Sequence, residues 1–260
     1  MRIGNGLLDD ETDGRGVVDY LWSHAVISDR VHEEVRSKCN FSDIHYRSEP
    51  NCSAAFLDMS KNIDIYNLYR PVCNIDDYNN NVQHPAIQGT VPQLPFNFGK
   101  KSHRKTAGSK DDNPCVDYVT PYMNRPDAQK ALHANVTKLP YPWQACGYHI
   151  QRWNVLPVIK RLIAGGGLRV LIYSGDADGM VPVTSTRYAS RKLGLNITQD
   201  WTPWYGSNKQ VGGWTTIYDG GLTFGTVRGA AHQVPASAPK RTLQIVGHFL
   251  ADKKLPSVPF

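Results

Sequence analysis

The sequence predicts an α/β fold in which a mostly parallel sheet carries helices on its faces. Three observations lead there. Beyond residue 150, strand-like and helix-like runs alternate, the rhythm of such a sheet. Two Gly- and Ala-rich loops follow strand-like runs, one holding Asp178 and the other His232. Two short helical patterns at 17–35 lead up to Cys39 and read as a helical layer beside the sheet.

Taken in order, residues 1–8 end a strand, because a short apolar run passes into Gly4-Asn5-Gly6. Asp9, Asp10, Glu11 and Asp13 read as a polar break. Apolar positions Val17, Val18, Leu21, Trp22, Ala25 and Val26 recur at helical spacing, and Ser28 or Asp29 caps a second helix through Val35. Residues 9–73 are therefore expected to form a helical insertion. Residues 74–114 hold Asn79, Asn80, Asn81, several prolines and the basic segment from Lys100 to Lys105, a composition that buries no core. That stretch reads as an exposed linker, and two readings stay open: protease-cleavable, or simply solvated.

Pro126 opens a helix over 127–134, and residues 153–164 form an apolar-periodic helix stopped by Gly165-Gly166-Gly167. A β-branched run at 168–173 is the next strand. A helix follows at 185–193, with Gly194 as its stop. Strands at 214–218 and 222–227 flank the turn Asp219-Gly220-Gly221, and a last helix spans 240–250.

The chain of 260 residues is 40% hydrophobic, enough for an ordinary core. Its formal charge of +6 is spread along the chain apart from the cluster near Lys100, so a nucleic-acid partner is not expected. No apolar run reaches the roughly 18 residues a membrane span needs, so no membrane partner is expected either. Residues 1–8 are too short and glycine-rich for a secretory signal. Even so, the interior looks secretory. Sequons stand at Asn40, Asn51, Asn135 and Asn196, candidate glycosylation sites, and Cys39 and Cys52 lie 13 positions apart across a polar loop, as in an extracellular staple. With no C-x-x-C and no H-E-x-x-H, neither a metal nor a cofactor is expected.

Strand-end loops of such sheets carry the reactive groups, because rigid strands aim them into one crevice. The first loop runs Gly175-Asp176-Ala177-Asp178-Gly179-Met180-Val181-Pro182, and the second Gly229-Ala230-Ala231-His232-Gln233-Val234-Pro235. A serine attacks poorly until a base takes its proton, and that base needs a carboxylate to fix its tautomer. Acid first and histidine second is the α/β-hydrolase order, in which the serine precedes both.

The segments G-D-A-D-G-M-V-P and V-R-G-A-A-H-Q-V-P resemble the acid and histidine segments of plant serine carboxypeptidases. W-T-P-W-Y, Q-V-G-G-W-T-T-I-Y, I-G-N-G-L-L-D-D and A-L-H-A-N-V-T are similar to the same family. The resemblance implies the C-terminal portion of an α/β-hydrolase fold with a helical insertion, the N-terminal strands and nucleophile elbow being absent. It implies His232 as general base and then acid, Asp178 as its orienter, and Asp176 as a turn-shaping residue. By order along the chain it pairs Cys39 with Cys52 and Cys73 with Cys115, leaving Cys146 unpaired. It departs from the family at Ala231 and Gln233, which flank the histidine, and above all in lacking the G-E-S-Y-A-G elbow and the N-G-G-P-G segment. No G-x-S-x-G occurs anywhere.

The expected function is that of a serine-type carboxypeptidase acting on a peptide substrate, here without its serine and inactive as given. An acyltransferase, a hydroxynitrile lyase and a non-catalytic glycosylated binding protein are the alternatives. The resemblance places the protein in the secretory pathway, extracellular or vacuolar, and allows a homodimer of the complete protein.

Overall fold

The structure is a computed structural model that describes residues 1–43, 46, 49–59, 63–72, 119–144 and 154–260. The linker at 74–114, Cys73, Cys115, Cys146 and Trp153 lie outside the described residues.

Strand β1 (Arg2–Gly4) is followed by three helices, α1 (Asp10–Ser23), α2 (Asp29–Lys38) and α3 (Pro50–Asp58). Helix α1 starts seven residues earlier than the apolar spacing predicts. The acidic residues expected to break the chain instead begin the helix: Asp9 caps it, accepting from the Thr12 N–H, while Asp10, Glu11 and Asp13 place negative charge at the positive end of its dipole. It ends at Ser23 rather than Val26, because Ala25 turns left-handed at φ 56° and Val26 N–H returns to the Leu21 carbonyl at 2.9 Å. Ser28 caps α2 as expected. Helix α3 escapes the periodicity; Pro50 in its first turn and a Glu49 side chain accepting from Asn51 and Cys52 N–H groups start it.

These helices enclose a core of their own, with Val18, Tyr20, Leu21 and Val35 against Phe41, Tyr46 and Phe56. The Cys39–Cys52 disulfide forms within that core, both cysteines buried.

Two short helices, α4 (Val119–Met123) and α5 (Pro126–Ala131), come next, then α6 (Leu156–Ala164). Helix α5 stops three residues short of the expected end, and His133 and Asn135 beyond it take left-handed backbone. Helix α6 begins at Leu156 because the chain before it is tied sideways: Val155 N–H bonds the Leu8 carbonyl at 2.8 Å and Asn154 bridges Asp9.

The remaining elements build the sheet: β2 (Val170–Gly175), α7 (Val183–Lys192), β3 (Ile197–Tyr205), β4 (Val211–Tyr218), β5 (Leu222–Val227), a four-residue helix α8 (Val234–Ser237) and α9 (Pro239–Leu250). Strand order is β1-β2-β5-β4-β3. Strands β1, β2 and β5 are parallel, with Ile3 beside Ile172 and Ile172 beside Phe224. Strands β4 and β3 run antiparallel to their neighbours, so the sheet is mixed rather than mostly parallel. Short turns explain this: the three residues Asp219–Gly221 link β4 to β5, too few for the crossover a parallel pair needs. Strand β3 is hidden in the sequence by Pro203, which is tolerated because β3 lies at the sheet edge.

Leu8, Leu156, Ile159, Val170, Ile172 and Phe224 form one sheet-facing core, and Leu171, Trp204, Val227 and Ile245 another. Both loops that the sequence singles out leave the carboxyl ends of adjacent parallel strands, β2 and β5, and so meet at one rim of the sheet.

Candidate active site

The adjacency of β2 and β5 decides the geometry. Asp176 N–H bonds the Val227 carbonyl at 3.4 Å and Ala177 N–H bonds the Ala230 carbonyl at 2.8 Å, so the two loops share a backbone ladder beyond the strands. Gly175 permits this closeness: a Cβ there would lie 2.4 Å from the Ala230 carbonyl oxygen.

At the meeting point His232 Nδ1 lies 2.8 Å from Asp178 Oδ2. Asp178 is fully buried, and the His232 side chain keeps 22% of its exposure. Three groups satisfy the carboxylate. Met180 N–H donates to Oδ1 at 2.8 Å, while the Asn5 amide, at 2.6 Å, and the imidazole both serve Oδ2. With its proton on Nδ1, the imidazole donates to that carboxylate. Nε2 is then the basic nitrogen, and among the described residues it has no hydrogen-bond partner.

Asp176, two residues earlier, faces the other way. Its Oδ1 accepts the Gly229 N–H at 2.5 Å and so closes the turn, left-handed at Gly229 with φ 68°, that leads to His232. Burial holds its carboxyl above the usual range, with the Gly229 N–H acting in the opposite sense. Its backbone carbonyl takes the Tyr20 hydroxyl, and burial pushes that phenol far above its ordinary range, with the Asp176 charge adding to the effect.

The sequence does not reveal two further contributors. Asn5 follows β1 at φ 43° and is buried beneath the Asp178 loop; its only signal is its place in Gly-Asn-Gly after a strand, where a left-handed residue is needed. A backbone strap at 63–70 also grips both loops. The Tyr66 carbonyl accepts His232 N–H at 2.9 Å, the Ile65 carbonyl accepts Gly179 N–H at 2.9 Å, and Leu68 N–H donates to the Ala177 carbonyl at 3.0 Å. The Tyr66 ring meets the imidazole edge-on, with centroids 5.2 Å apart. Backbone groups leave no mark in the sequence, so the strap was not legible.

Ala231 and Gln233, the two departures beside the histidine, leave the pair formed; Ala231 N–H bonds Ser237 Oγ at 2.9 Å. The four sequon asparagines, Asn40, Asn51, Asn135 and Asn196, are all exposed, and the Asn196 amide is bonded to Asp219. Among the described residues no group of three metal-ligating side chains occurs. No helix among them is long and apolar enough to cross a membrane.

Comparison with known proteins gives a consistent picture. The family described as serine carboxypeptidase matches residues 1–252. Serine carboxypeptidase-like 34 of Arabidopsis thaliana is 45% identical over 275 residues, an alignment covering 100% of this chain and 54% of that protein. Serine carboxypeptidase 24 of the same plant is 40% identical, over 98% of this chain and 54% of its own. A crystal structure of Kex1(delta)P, a prohormone-processing carboxypeptidase from Saccharomyces cerevisiae, matches with a TM-score of 0.60 at 17% identity, covering 96% of this chain and 54% of that one. This last is a likeness of fold. The chain thus spans about half the length of the curated relatives it matches.

Proposed function

Because this chain belongs to the serine carboxypeptidase family, we propose that it supplies the acid and base of a serine-type carboxypeptidase that removes C-terminal residues from peptides. The observation that carries this reading is the 2.8 Å contact between His232 Nδ1 and the buried Asp178 carboxylate.

In this reading Nε2 of His232 takes the proton of a serine hydroxyl as its oxygen attacks the scissile carbonyl. Asp178 holds the imidazolium that forms, and the same proton then passes to the leaving amine. Water repeats the sequence on the acyl-enzyme. The serine belongs to a G-E-S-Y-A-G elbow that these 260 residues do not contain. The 260-residue chain by itself is accordingly expected to be inactive, since loss of a triad serine costs about six orders of magnitude in turnover. The Cys39–Cys52 disulfide and the exposed sequons support a secretory destination, with glycans at Asn40, Asn51, Asn135 and Asn196.

The test uses an N-blocked dipeptide and measures release of its C-terminal amino acid. The complete protein, including the elbow, should be active, and His232→Ala or Asp178→Asn should each lower its kcat by at least about 10⁴-fold. A 260-residue chain that reacts stoichiometrically with a fluorophosphonate at one serine would refute the assignment, as would a fully active His232→Ala enzyme.

A further inference from the structure

We propose that Asn5 is a positioning residue for the acid and histidine, holding the Asp178 carboxylate in the orientation that serves His232 Nδ1. Its catalytic meaning rests on the peptidase reading above; its geometry does not.

Asn5 uses both ends of its amide. Nδ2 donates to Asp178 Oδ2 at 2.6 Å and reaches the Val181 carbonyl at 3.5 Å, while Oδ1 accepts the Gly175 N–H at 3.0 Å. A backbone N–H only donates and a carboxylate only accepts, so the two ends cannot be exchanged and the amide has one orientation. The backbone of Asn5 is tied as well, its N–H bonding the Tyr173 carbonyl at 2.9 Å. One residue therefore joins the end of β1 to both ends of the turn that carries Asp178.

The consequence for Asp178 follows from counting donors. Of the other two donors only the Met180 N–H, on Oδ1, is fixed by the backbone, since the imidazole on Oδ2 is itself a side chain that can turn. The Asn5 amide adds a second fixed donor on Oδ2, the oxygen that the imidazole uses. Asn is suited to the place on two counts: it tolerates φ 43°, and its short amide spans both partners. The side chain is 4% exposed with its residue, so an apolar replacement would leave the Gly175 N–H buried and unpaired. Among the described residues the titratable groups near His232 include Asp178, Tyr66 at the ring edge and, beyond Asp178, Tyr20 with Asp176 and Tyr69.

The pair can be read apart from turnover, by NMR of the complete protein, elbow included, with ¹⁵N-labelled histidine across a pH series. Asn5→Asp sets a second carboxylate against Asp178, so that the two must share a proton, and should change the pH midpoint of His232. Asn5→Gly keeps the left-handed backbone, loses the amide, and should speed exchange of the Nδ1 proton with water. His32, in its separate contact with Asp19 at 2.8 Å, should be unchanged in both and reports that the chain is folded. In the complete enzyme both variants should lower kcat by roughly 10- to 100-fold with KM almost unchanged, the mark of lost orientation. If His232 keeps its midpoint and its exchange rate in both variants while His32 shows a folded chain, the assignment is wrong. Should Asn5→Asp not fold, the Asn5→Gly exchange rate decides alone. A fully active His232→Ala enzyme would remove the peptidase reading while leaving the titration result in place.

Discussion

Asp176 and Asp178 are two carboxylates two positions apart that meet opposite surroundings. Asp178 has three donors and no solvent, whereas Asp176 has one strong donor, Gly229 N–H, and a partly buried setting that lifts its carboxyl above the ordinary value of 3.8. A raised folded-state value means that the folded chain binds the proton more tightly than the unfolded one, so stability falls as pH rises from the ordinary carboxylate range through the raised folded value. Asp176→Asn keeps an acceptor for Gly229 and removes the charge. It is expected to melt above the wild type at pH 7, with the gap closing at pH below about 3.8, and thermal melts at the two pH values check this. A gap that widened toward acid would show that the carboxylate stabilises the turn. At this scale the sequence singled out Asp178 and His232, which the structure brings into contact, because each follows a strand, but Asn5 only as a turn residue. Its role depends on a contact across 173 positions, which local spacing does not encode.

At the scale of elements, α1 and α7 cross so closely that glycine is required. A Cβ on Gly16 would lie 2.4 Å from the Ser185 backbone, and the same crossing is stitched by Thr184 Oγ1 donating to the Gly16 carbonyl at 2.6 Å and Ser185 Oγ to the Asp13 carbonyl at 3.1 Å. Gly16→Ala should destabilise by about 1–3 kcal/mol despite the better helix propensity of alanine, measured as a lower denaturation midpoint with unchanged slope. An unchanged or raised midpoint would mean that the helices can part without cost. The disulfide acts on the neighbouring helices. Replacing Cys39 and Cys52 together by Ala opens a loop of 13 positions and should cost about 3 kcal/mol in the chain-entropy account, read by melts of oxidised wild type against the variant. The elements themselves were legible where periodicity or a cap marked them, as for α2. Strand β3 was not, since Pro203 and the polar run before it belong to edge strands and loops alike.

For the molecule as a whole, the sheet has two edges among the described residues. Strand β3 carries its own defence in Pro203 and register shifts along its pairing, which discourage a new neighbour. Strand β1 has neither, pairs only with β2, and spans three residues. Exposed apolar side chains also gather in one stretch, with Tyr122, Leu132, Val136, Leu139 and Tyr141 all at least 49% exposed. The 260-residue chain is therefore expected to self-associate and to melt without a sharp transition, as light scattering and calorimetry across a concentration series would reveal. A monomer at high concentration with a two-state melt would show that the described core is sufficient by itself. The strap at 63–70 has a consequence at this same scale. It arrives from the helical layer, yet its backbone groups fasten the loops of Asp178 and His232, which belong to the sheet. Amides of Gly179 and His232 should then exchange with deuterium in step with the helical layer rather than with β2, which hydrogen-exchange measurements check. The alignment of Asp178 with His232 is thereby tied to closure of a layer that neither residue belongs to: a chain whose helices have not closed holds both residues without the strap that sets one against the other.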